Sequence, residues 1–332
     1  MARVLLDSFS FSPDPSQAHA LDQRMRLGLA DSLAHIAEQS AGVLPFDFSA
    51  LDPLIAGIRS GVRYPPTAFS LYADIVLAIC DDRHDEATRL LGELALQQPL
   101  THPWRVLALD APEHVRSMAR YVRAMSGDAG TSFSIGPPPG DLAERFQRRA
   151  LEGYRLMRAA APELAAEFDA LVADVIMVVG DSKAEYQFDG GSSYFLWGAL
   201  FLNATSHETD VAMVEVMAHE SAHILLYACA AEEALVTNPD EELYASPLRR
   251  DPRPMDGLYH ATFVSARMHW AMSRLIQSGL LDASAVAAAD VAREQDRRNF
   301  WAGHEVVARH GKLTKTGAAV MQAAVDYMAP FR

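Results

Sequence analysis

From Asp210 to Ala231 the chain contains neither Gly nor Pro and is apolar at most positions. Such a stretch has to be a helix with little of its surface left to water. Into it fall Val216-Met217-Ala218-His219-Glu220-Ser221-Ala222-His223. Two histidines in this spacing share one helical face, about one turn apart. Their imidazoles can therefore share a divalent metal, with Glu220 one step round the helix beside it. The bland alternative is a pair of histidines satisfied within a core. Upstream, Thr205-x-x-Glu208 reads as a capping box and Asp210 favours a helix N-terminus.

The 332 residues are enough for one large domain or two ordinary ones, and 50% of them are hydrophobic against 22% charged. A net charge of −14 argues against nucleic acid as a partner, because phosphates would go unneutralised. Cys80 and Cys229 stand far apart in apolar contexts, a reduced pattern with no disulfide framework. The apolar run at Met1–Leu6 is too short for a signal peptide, and no apolar stretch has the length to span a bilayer. A cytoplasmic protein without membrane attachment is expected.

The spacing predicts a mainly α (α+β) fold, with a zincin-like HExxH helix next to a small sheet. Leu21, Met25, Leu29 and Leu33 recur at every fourth position of a helix over 16–38. Further helices are expected from Asp52, over Pro66–Cys80, Asp85–Gln97 and Ala111–Met125. Arg105–Leu109 reads as a short strand. The helical part thus covers 1–125 and could bind a peptide or its leader. Residues 126–141, rich in Gly, Ser and consecutive Pro, read as a linker or long loop, and 142–332 as the catalytic domain. There, helices are expected over Leu142–Ala160 and Pro162–Ala173, then strands at Val175–Gly180 and Tyr194–Asn203. Helices from Met255 to Gln277, near 282–300 and over 314–328 close the chain.

A catalytic metal on two histidines needs at least one more protein ligand. Glu241 or Glu242 would complete a His₂Glu zinc peptidase site, with Glu220 as general base for the water. The preferred candidate is His260, which shares a helical face with Phe263, Val264 and Arg267. His304 and His310 are six apart, which turns their rings about 120° from each other on a helix. Arg249, Arg253 and Arg267 bracket His260, and guanidinium forks suit a dicarboxylate cosubstrate better than a peptidase needs. Their competing partners would be Asp240, Asp251 and Asp256.

The block Ser246-Pro247-Leu248-Arg249-Arg250-Asp251-Pro252-Arg253-Pro254-Met255-Asp256-Gly257-Leu258-Tyr259-His260, running on to Arg267 and following His219-Glu220-Ser221-Ala222-His223, resembles a family of HExxH-motif Fe(II)- and 2-oxoglutarate-dependent peptide β-hydroxylases. The turn Gly190–Ser193 and the segment Trp197–Asn203 resemble that family too, and near the N-terminus so does Phe11-Ser12-Pro13-Asp14-Pro15. The resemblance is specific over roughly 160–275. It implies Fe(II) on His219, His223 and His260, 2-oxoglutarate as cosubstrate and a ribosomally made precursor peptide as substrate. Which of Arg249, Arg253 and Arg267 holds the cosubstrate is an inference from charge alone. Glu220 would then orient a ligand or a bound water. Because divalent affinities favour zinc over iron at nitrogen ligands, zinc in purified protein is compatible with this expectation. A third class, a non-catalytic peptide-binding protein, would need no metal.

Overall fold

The computed structural model describes residues 9–113, 115–125, 134–181, 188–246 and 251–332. Its helices are α1 (Pro15–Ser40), α2 (Asp52–Arg59), α3 (Thr67–Cys80), α4 (His84–Ala95), α5 (Met118–Met125), α6 (Gly140–Ala160), α7 (Pro162–Leu171), α8 (Asp210–Cys229), α9 (Met255–Gln277), α10 (Ala283–His310) and α11 (Lys315–Met328). The strands are β1 (Arg105–Ala108), β2 (Ile135–Gly136), β3 (Asp174–Gly180), β4 (Gly190–Ser192), β5 (Ala199–Asn203), β6 (Leu243–Tyr244) and β7 (Arg253–Pro254). The fold is mainly α with a small sheet. Among the described residues no helix is long and apolar enough to cross a membrane.

The chain divides into two compact units, each built from separate stretches: 1–21, 144–171 and 205–332 form one, 22–143 and 172–204 the other. Contact groups these stretches, whereas the linker expected at 126–141 was placed by order along the chain. Residues 126–133 of that linker lie outside those described; the rest holds β2 and the start of α6.

The second unit carries the sheet, in the order β1-β3-β5-β4, with β2 antiparallel on β3. β1, β3 and β5 are parallel, pairing Val106 with Val175 and Ile176 with Phe201. All five residues of β5 are buried, which is why its sequence reads as a continuous apolar run rather than an alternating one. Leu109, Tyr121, Met125, Phe188 and Leu196 pack into the same core. The strand expected over Tyr194–Asn203 is shorter than the apolar pattern suggests. Ser193 caps a 3₁₀ turn at Tyr194–Leu196, and Gly198 takes φ +86°, so extended pairing begins only at Ala199. Trp197, between them, is buried and donates its indole N–H to Asp22 at 2.8 Å. The helix expected from Ala111 likewise begins only at Met118.

The first unit is helical around α8 and α9. α8 starts one turn later than its expected capping box. Thr209, not Thr205, accepts the backbone N–H of Ala212 (3.2 Å), because His207 at φ +57° turns the chain between them. α6 crosses α8 at Gly153, where an added Cβ would lie 2.5 Å from Met213 Cγ. α9 packs against both α8 and α10.

Candidate metal centre

α8 is buried on nearly every side. From Val211 to Cys229 the residues that keep partial exposure are Ala212, Glu215, His219, His223 and Tyr227. Their spacing of three or four residues draws a single stripe along the helix. Hydrophobic burial of the other faces thus leaves both motif histidines on the one partly exposed side of α8.

α9 meets this stripe. His219 Nδ1 lies 3.3 Å from Met268 Sδ, and His223 Nδ1 lies 3.1 Å from His260 Nδ1. Position numbers rise along one helix as they fall along the other, so the two helices run antiparallel here. His223 Nε2 in turn lies 3.1 Å from His219 Nε2. The His223 and His260 rings stack at 5.4 Å with 17° between planes, and Tyr227 stands 5.4 Å from His260. The structure therefore brings His219, His223 and His260 into one cluster.

Electrostatics favour the neutral form at His223 and His260. Burial pushes His223 well below its ordinary value, and the neighbouring His219, His260 and Arg253 push it further. Burial lowers His260 too, opposed by Asp256 and reinforced by Arg253. Asp256 Oδ1 sits 3.9 Å from His260 Nε2, one helical turn away. Neutral imidazoles with available lone pairs are the donor set that suits zinc, iron, copper or nickel. His223 presents a different nitrogen to each neighbour, so one ion held by all three calls for a turn of the His223 or His260 ring. As placed, no three His, Cys, Asp or Glu side chains among the described residues are arranged to hold a metal ion; what fits a divalent transition metal is the donor chemistry of the three imidazoles.

Glu220 is buried, 4% exposed, with Oε1 3.9 Å from His219 Nε2. It flanks the cluster and does not stand on the partly exposed stripe. The competing ligands lie elsewhere. Glu242 accepts the Tyr244 hydroxyl at 2.5 Å, and its Oε1 is 3.8 Å from Lys312 Nζ; Glu241 is exposed. Both precede the β6–β7 hairpin, whose pairing of Tyr244 with Arg253 carries the chain to α9.

The three arginines separate. Arg253 ends the hairpin with its guanidinium over α9, 3.7 Å from where a Cβ on Gly257 would stand, and its charge reaches both His223 and His260. Arg267 is committed inward. At 1% exposed it pairs with Glu167 and donates to the Phe11 carbonyl at 2.5 Å. That placement corrects the expectation of a cosubstrate clamp at Arg267, since a guanidinium this enclosed has its fork already engaged. Arg249 lies outside the described residues.

His269 and His304 are engaged elsewhere. His269 contacts the Tyr327 hydroxyl at 2.9 Å, and His304 stacks on Phe300 at 5.8 Å. Sequence reasoning missed Asp256 and Met268 as neighbours of the cluster. Their offsets of minus four and plus eight from His260 were the available signal. No protein-family model matches the chain, and a search of curated proteins finds no match.

Proposed function

We propose that the protein is an Fe(II)- and 2-oxoglutarate-dependent oxygenase that hydroxylates a side-chain β-carbon of a ribosomally made peptide in the cytoplasm. The observation that supports this most is the cluster of three imidazoles, His219 and His223 on the partly exposed stripe of α8 and His260 facing them from α9. An ion bound there with 2-oxoglutarate supplies activation of dioxygen and removal of hydrogen from carbon.

The chain's own residues do the rest. His219 and His223 hold the ion from one helix turn, and His260 approaches from α9. Arg253 offers the cationic fork for the far carboxylate of the cosubstrate. The buried faces of α8 and α9 exclude water behind the rings. Glu220 lies 3.9 Å from His219 Nε2, the edge that would face the ion, and would orient a bound water there. A zinc peptidase would instead ask Glu220 to act as general base toward that water and an acidic side chain to complete the site. Glu242, turned to Tyr244 and Lys312, does not favour that reading.

The test is anaerobic reconstitution with Fe(II), followed by oxygen, 2-oxoglutarate and candidate peptides encoded beside the gene. A gain of about 16 mass units with stoichiometric succinate is expected. Peptide-bond cleavage without 2-oxoglutarate would replace the oxygenase by a hydrolase.

A further inference from the structure

Arg267 and Glu167 form an ion pair with 1% and 0% of their side chains exposed. Buried pairs of this kind seldom add stability over apolar residues of the same shape, so what they hold in register is the more telling question. Here they hold the segment Phe9–Asp14. Arg267 gives one arm to Glu167 Oε1 and another to the Phe11 carbonyl at 2.5 Å. Glu167 Oε2 accepts the backbone N–H of Asp14 at 3.2 Å. The two charged groups and two points of the N-terminal backbone thus form a closed ring of hydrogen bonds.

Aromatic packing reinforces the ring. Phe11 stacks on Tyr327 at 4.7 Å and meets Phe263 edge-on at 5.7 Å, while Phe9 lies 6.1 Å from Phe263. The segment is also stiffened from within. Asp14 Oδ1 accepts the N–H groups of Ser16 and Gln17, and Gln17 exchanges two hydrogen bonds with the Ser10 backbone. Pro13 and Pro15 restrict what is left.

On α9 this segment touches Phe263 and Arg267, which lie three and seven residues past His260 and so on much the same side of the helix. A helix moves as a body over two turns, so contacts at Phe263 and Arg267 set where His260 stands. We propose that Phe9–Asp14 is a positioning strap for the metal centre. Phe11, Glu167 and Arg267 act through α9 to hold His260 against His223. This accounts for two features the functional reading leaves over, the Phe11-Ser12-Pro13-Asp14-Pro15 motif and the inward-facing Arg267. The inference rests on that reading in one respect, that His260 is a metal ligand.

Co(II) titration of the full chain, followed by its visible absorption, tests the strap. In one variant, Glu167→Leu with Arg267→Met, an apolar pair replaces the ion pair; Phe11→Leu, a milder change, is the second. Both variants stay folded, as their melting transitions show, yet bind Co(II) about tenfold more weakly. Combined with His260→Ala, neither weakens binding further, because the strap acts through that residue. Co(II) affinity within about twofold of the unchanged protein in both folded variants overturns the strap while leaving the metal centre standing. If the unchanged protein binds no Co(II), the metal reading falls and takes the strap with it.

Discussion

Asp296 offers the most quantitative check on how this helical unit is held together. It occupies the buried stripe of α10 with Ala289, Phe300, Gly303 and Val307, and is 2% exposed. Its Oδ2 has no hydrogen-bond partner among the described residues. Burial, and secondarily the charge of Glu215 on α8, push its carboxyl up to about 9 from an ordinary 3.8. The folded protein therefore keeps this proton across a window in which the unfolded chain loses it. A raised folded value contributes stability at low pH, and the contribution is lost as pH rises from 3.8 toward 9. Each pH unit in the window costs about 1.4 kcal/mol, so by pH 7 the full linkage approaches ~4 kcal/mol. Glu215 is only half-buried, so its share is screened, and about 2–4 kcal/mol is expected. Asp296→Asn keeps the shape, carries no titrating proton and offers an N–H toward Glu215. Urea unfolding of both proteins from pH 5 to pH 9, with chelator present, should show the variant gaining on the unchanged protein steadily as pH rises. A stability difference independent of pH refutes the reasoning, because it would mean that Asp296 is ionised in the fold.

Three further outcomes follow from the same structure. His260→Ala should weaken Co(II) or Zn(II) binding by about tenfold or more, and Glu242→Gln should leave it unchanged, read by competition titration against a chromophoric chelator; the reverse order would restore the acidic ligand. His269 is held down to about 4, chiefly by burial, so stability is lost as pH falls from the ordinary 6.5 toward that value, and His269→Gln should flatten the acid side of the melting-temperature profile. Gly153→Ala should destabilise by about 1–3 kcal/mol in chemical unfolding, since a methyl there drives into the Met213 side chain where α6 crosses α8; a neutral result would mean the helices part easily.

The grouping of the candidate histidines was partly legible from residue order. The HExxH pair needed only helical spacing and an apolar run to be placed on one face. His260 was legible for the same reason, since its helical face is local. What misled was charge. Arg249, Arg253 and Arg267 look alike in the chain, yet Arg267 is consumed by Glu167, a residue a hundred positions away that no local pattern connects to it. The capping box at Thr205 failed through a backbone turn at His207, and the long strand at Tyr194 through the turn at Gly198. Both are short-range conformations that apolar periodicity does not encode.

Periodicity and composition alone determined that this is a mainly helical protein with a buried helix bearing two histidines on one face, because helix geometry converts spacing directly into direction. Only the tertiary structure decided which side of that helix stays open, that the His260 ring comes within 3.1 Å of His223, and that Arg267 turns inward to the N-terminal segment. Those outcomes depend on which distant faces bury one another. That selection is made by the packing of the whole unit, not by any stretch of it.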